Sequence, residues 1–138
     1  MDDFRQMINF DELTSDDTIT LARAAAEAIR GLNWATATDA GLDQPSVAYD
    51  ILSALSLAAA RLGQAFTQIA RYLDRALAAG RLGNDLGEDP ALAIGAADIF
   101  LGDAAAGAAA LAGDIDAAQQ QLALVNGRPA RPGRKDTP

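Results

Sequence analysis

Ile94, Ala97, Leu101, Ala104, Ala108, Leu111, Ile115, Ala118, Leu122 and Val125 recur at alternating intervals of three and four residues. A helix brings positions so spaced onto one face, whereas a strand would scatter them over both. The run passes straight through "LGDAAAGAAALAGD", residues 101 to 114, which on composition alone reads as a flexible linker. A linker has no reason to hold register over so long a run, so this stretch reads as helix with an alanine-rich seam.

A second run has the same period: Leu52, Leu55, Ala59, Leu62, Phe66, Ile69, Leu73 and Ala76. A neighbouring stripe, Ala48, Ile51, Leu55, Ala58, Leu62, Ala65, Ile69 and Tyr72, shares Leu55, Leu62 and Ile69 with it. The combined face is wide, so this helix is expected to touch more than one neighbour. Punctuation sets the ends. Asp43 is placed to cap the first of these helices, with Pro45 in its first turn, and Asp89 followed by Pro90 starts the second in the same manner. Gly80 or Gly83 can take the left-handed conformation that closes the first. Helices are therefore expected over 45–79 and 90–126, each about 50–55 Å long. Their short connection, "AGRLGNDLGEDP", folds them back antiparallel. Alanine at alternate seam positions lets the axes approach to the low end of the usual spacing, about 8 Å.

Upstream, "DDFRQMINF" places Phe4, Met7 and Ile8 on one face of a short amphipathic helix over 2–10. After "DELTSDD", Asp16 or Asp17 can cap a further helix. Thr20, Arg23, Glu27 and Arg30 form its exposed stripe, and Ile19, Ala22, Ala25, Ala26, Ile29 and Leu32 lie opposite. It is expected to end within 31–41, with Trp34 as a core plug just beyond it. The expected architecture is all-α: a long antiparallel hairpin, one shorter helix packed on it and a short N-terminal helix. Residues 1–127 form one helical domain, and 128–138, "RPARPGRKDTP", form a basic, Pro-rich tail expected to be disordered.

Alanine supplies 33 of the 138 residues, while the β-branched and aromatic types that favour strands are few, which supports the all-α reading. Cysteine and histidine are absent. That removes disulfides, thiolate metal sites, the commonest general base and the commonest transition-metal ligand. Residues 1–127 hold 7 basic and 18 acidic side chains, and the tail holds 4 and 1. An acidic body of this kind argues against non-specific binding to nucleic acid or anionic membrane. With no uncharged apolar stretch of spanning length and no signal-peptide pattern at "MDDF", a soluble cytoplasmic protein without membrane contact is the expectation.

Candidate chemistry is thin. Asp85, Glu88 and Asp89 lie together in the interhelical turn, but the ligand ladder of a calcium loop is missing, and a helix cap accounts for them better. Asp98, Asp103, Asp114 and Asp116 are spread around the last helix, and Glu-x-x-His pairs cannot exist without histidine. Ser46, Ser53 and Ser56 have no base except carboxylates, and "GRLGNDLG" is not a phosphate-binding loop. No catalytic residue, metal or cofactor is assigned. Arg61, Gln64, Gln68, Arg71 and Arg75 form the most basic stripe in the body, either a contact face for an acidic partner or phosphate, or a solvated helix face. Phe4, Met7, Ile8 and Phe10 are apolar surface that so small a bundle covers with difficulty. They serve self-association or partner docking, or else cap the chain's own core. Gly95, Gly102 and Ala109 recur every seven residues beside the main seam, with Ala91, Ala105 and Ala112 on the same strip. Internal glycines weaken a helix, so this strip is expected to lie against a second helix, within the chain or across a dimer.

The segment "DQPSVAYDILSALSLAAARLGQAFTQIARYL", followed by "AGRLGNDLGEDPALAI", resembles a group of small uncharacterised alanine-rich helical proteins from actinobacteria, often associated with plasmids and other mobile elements. The likeness covers roughly residues 41 to 125: a long helix, a "GRL…D…G.DP" turn and an alanine-rich second helix. It implies no activity and no site residues. Secreted helical hairpins with a Trp-x-Gly turn do not fit, because Ala35 and Thr36 follow Trp34. The expected function is a non-enzymatic helical interaction or adaptor protein that associates with itself, as a homodimer, or with a protein partner. The alternative is a small regulatory module whose basic tail, Arg128 to Lys135, contacts nucleic acid or an acidic partner.

Overall fold

The structure, a computed structural model, describes residues 8–129. They form three helices, α1 (Ser15–Thr36), α2 (Pro45–Ala78) and α3 (Pro90–Gln121), with no strand among the described residues. The chain is all-helical and divides into two compact units, one ending at Asp43 and holding α1, the other starting at Gln44 and holding α2 and α3.

In the first unit the cap is Thr14, not Asp16 or Asp17. Its Oγ1 accepts from Asp17 N at 3.2 Å, and Asp17 Oδ2 accepts from Thr14 N at 3.0 Å. This reciprocal box satisfies two donors that the first turn leaves open. Ile8 is buried, but residues 8–14 are irregular, so the helix expected over 2–10 does not extend through its last three positions. Residues 2–7 lie outside the described residues. After α1 the chain turns on Thr38, whose Oγ1 donates to Ala35 O at 2.9 Å and accepts from Gly41 N at 3.1 Å. A side chain at 41 would clash with the Ala35 carbonyl oxygen, so this turn requires glycine. None of α1 is buried, and Trp34, expected as a core plug, is 79 % exposed.

The second unit is the expected antiparallel hairpin. Asp89 caps α3 as anticipated, its Oδ1 accepting from Ala91 N at 3.0 Å. At α2 the cap position falls to Gln44 rather than Asp43, and no side chain bonds the open amides there, because helical geometry begins at Pro45 itself. Gly80 (φ +69) closes α2: Arg81 N donates to Ala76 O and Gly80 N to Leu77 O, both at 3.0 Å. This is a Schellman closure with glycine in its left-handed position. Helix α3 stops at Gln121, short of the expected 126, and the following turn brings Gly127 against the Pro45 ring.

The seam is built from small residues. Ala59, Ala76 and Ala108 are buried, and a Cβ built on Gly63 would lie 3.5 Å from Ala105 O and 3.7 Å from Ala108 Cβ. On α2 the inward positions include Leu52, Leu55, Ala59, Gly63, Phe66, Ala70, Leu73 and Leu77. Leu62 and Ile69, expected in the seam, flank it instead. Two helices that meet through alanine and glycine approach too closely to admit Leu62 and Ile69 between them.

A candidate interaction surface

Polar contacts mark one edge of the hairpin. Ser56 Oγ reaches Ala112 O (3.3 Å) and the Asp116 carboxylate, and Asp74 neighbours Asp98. Gln119 Nε2 donates to Tyr49 O at 3.2 Å. Asp98 and Asp116 therefore lie beside the seam. The neighbouring Asp74 raises the Asp98 pKa, first through the hydrogen bond they share, then through desolvation and like charge.

At about 100° per residue, Ser56 and Asp74 fall to one side of the α2 seam and Leu62, Ile69 and Tyr72 to the other. In α3 the same rotation puts Asp98 and Asp116 on the polar side and Phe100 and Leu111 on the opposite one. In an antiparallel pair these opposite sides share one face of the hairpin. That face carries Leu62, Ile69, Tyr72, Phe100 and Leu111, all between 46 % and 72 % exposed. Ala58 and Ala65 of α2 and Ala93, Gly107 and Ala118 of α3 fill the space among them, all but Ala65 exposed.

The expected strip of Gly95, Gly102 and Ala109 lies on the other side, beyond Asp98 and Asp116. A Cβ on Gly95 or Gly102 meets nothing within 4 Å. Within the chain the strip is thus not a close contact, and Gly63 fills that role. Gly63 gives no signal in the sequence, because a glycine adds nothing to an apolar count.

Arg61, Gln64, Gln68, Arg71 and Arg75 are all exposed on the back of α2, with Arg61 at its edge next to the apolar face. Among the described residues the one ion pair joins Arg30 to Glu27 at 3.3 Å, so these arginines have no carboxylate partner there. Phe4 and Met7 lie outside the described residues, as does the tail beyond Pro129; Phe10 is half exposed. An open hollow on the last turns of α1 is lined by Glu27, Arg30, Gly31, Asn33, Trp34 and Ala37, too shallow to enclose a small molecule. Among the described residues no three carboxylates converge as a metal site.

Helix α3 contains a window of mean hydropathy 1.4 with no more than two charged residues, long and apolar enough to cross a membrane, yet 6 % of it is buried. A helix this apolar and this uncovered is the most unusual property of the chain. No family model, curated protein or solved structure matches the chain.

Proposed function

We propose that this chain is a non-enzymatic helical interaction protein and that the shared apolar face of α2 and α3 is its contact surface. One observation carries the reading: five large apolar side chains on a single face of the hairpin stay exposed while the seam buries alanines. Covering a side chain of this size stabilises by about 1.5–3 kcal/mol, so the exposed face represents a large unused driving force. Contiguous apolar surface of this kind on a folded chain marks an interface. The absence of histidine and cysteine and the use of carboxylates in caps and seam contacts support a non-enzymatic role.

A protein suits this face better than a bilayer does. Any 18-residue span of α3 includes at least two of Asp98, Asp103, Asp114 and Asp116. Each costs about 2.5–3.5 kcal/mol near a bilayer centre, against about 0.3–0.6 kcal/mol returned by each Leu, Ile or Phe. All seven such residues of α3 together do not offset two carboxylates.

Photo-crosslinking tests the reading. A benzophenone side chain at Phe100 should capture a protein adduct in the native host, whether this chain or another, and one at Arg71, on the side of α2 away from that face, should not. Equal capture from both positions, or none from Phe100, refutes it.

A further inference from the structure

We infer that the occupant of the apolar face is a second copy of this chain, docked about a two-fold axis that runs along the hairpin, with α2 of each copy against α3 of the other. The inference rests on the interaction reading above and names its partner.

Size fits first. Two helices about 50 Å long and about 20 Å wide together present a face of about 1,000 Å², so two copies bury about 2,000 Å², the range of stable specific complexes. Relief fits as well. Contacts within the hairpin set the heights: Gly63 is level with Ala105 and Ala108, Ser56 with Ala112 and Asp116, and Asp74 with Asp98. A two-fold along the hairpin preserves height, so Leu62 of the second copy comes level between Gly107 and Leu111, and its Ile69 between Phe100 and Ala104. Gly107 and Ala104 form a dip between Leu111 and Phe100 whose two ends take Leu62 and Ile69, and a Cβ on Gly107 meets nothing within 4 Å in the single chain.

Charge selects the arrangement. Helix α3 carries four aspartates and no basic residue, whereas α2 carries Arg61, Arg71 and Arg75 against Asp50 and Asp74. Arg61 borders the apolar face on α2, and Asp103 and Asp114 border it on α3, at heights on either side of Arg61. With α2 against α3 of the second copy, each Arg61 falls between an Asp103 and an Asp114, twice in the dimer. A two-fold running across the hairpin would set α3 on α3, carboxylates facing carboxylates, which complementary interfaces avoid. The result is a four-helix arrangement whose neighbouring helices alternate in charge.

Sedimentation equilibrium on the full chain tests this. The native protein should show twice the single-chain mass. Arg61→Glu should weaken association by about tenfold, as should Asp103→Arg with Asp114→Arg, since each introduces like charge at two rims. The three changes together should restore it, and circular dichroism should show the same helix content throughout. A single-chain mass at every concentration overturns the inference, as does a triple variant no tighter than its parents, or co-flotation with phosphatidylcholine vesicles in place of a dimer. A monomer that still cross-links another protein through Phe100 would refute self-docking and leave the interaction reading standing.

Discussion

Asp74 and Asp98 face each other across the polar edge of the hairpin, and the hydrogen bond between them raises the Asp98 pKa above its ordinary value. Oδ1 of Asp98 is shielded from solvent and has no hydrogen-bond partner. When Asp98 is ionised, its shielded oxygen has no donor and the group lies beside a like charge, so its protonated form is favoured.

The pH dependence follows in sign. Asp98 binds its proton more tightly in the folded chain than in the unfolded one. Its contribution to stability is complete below the unfolded value of 3.8 and is lost as pH rises through the folded pKa. Asp98→Asn supplies an amide donor to Asp74 and carries no charge. The variant should melt higher than the parent at neutral pH, and the gap should close in acid. Melting curves of both proteins across the carboxylate range check this, and a constant gap would show that the fold does not raise the Asp98 pKa.

Gly63 permits a second prediction, because the space around it is known. A methyl group there would make ordinary contact with Ala105 O and Ala108 Cβ at 3.5 and 3.7 Å. Gly63→Ala should therefore be tolerated and gain up to about 1 kcal/mol from helix propensity. Gly63→Leu should overpack the seam and cost about 1–3 kcal/mol. Chemical denaturation measures both, and a Leu variant as stable as the parent would mean that the helices do not approach closely at this level.

The seam also shows how far the sequence could be read. The spacing of three and four residues located both long helices, and Pro45 and Pro90 their starts, because period and φ restriction are local properties. On α2, however, two adjacent stripes fit the same period. A count of large apolar residues favours Leu62 and Ile69, whereas the chain turns Gly63 and Ala70 inward. Which stripe faces the partner depends on how close the partner comes, and that distance is set by the Ala105–Ala108 turn far along the chain. The meeting of Asp74 with Asp98, and of Ser56 with Asp116, was hidden for the same reason: both depend on the register between helices. Thr14 was legible in principle, since Thr-x-x-Asp ahead of a helical run is a capping pattern. Trp34 was not, because its burial depends on what packs over it.

The turn after α2 gives a third prediction. Gly80 has φ +69 and closes the helix, whereas Gly83 has neither a left-handed φ nor a close neighbour. Gly80→Ala should cost about 1–2 kcal/mol through the left-handed penalty, and Gly83→Ala should change stability little. Equal effects at the two positions would contradict the Schellman closure.

The last prediction sets two glycines of α3 against each other. Gly102 and Gly107 sit in the same helix, and a Cβ at either meets nothing within 4 Å in the single chain. Their local backbone is the same, so substitution to alanine should gain up to about 1 kcal/mol of helix propensity at both in the isolated hairpin. The two differ only in direction. Gly102 lies beyond Asp98 and Asp116 on the polar side, away from Phe100 and Leu111. Gly107 lies between those two residues on the apolar face, where the proposed second copy inserts Leu62. Gly102→Leu should therefore leave the molar mass unchanged. Gly107→Leu fills the dip and should weaken association, at an overpacking cost of about 1–3 kcal/mol. Molar mass as a function of concentration, with helix content as the control, separates the cases. If Gly102→Leu dissociates the protein and Gly107→Leu does not, the contact runs along the small-residue strip of Gly95, Gly102 and Ala109. The large apolar face would then have to be covered by something other than a second copy.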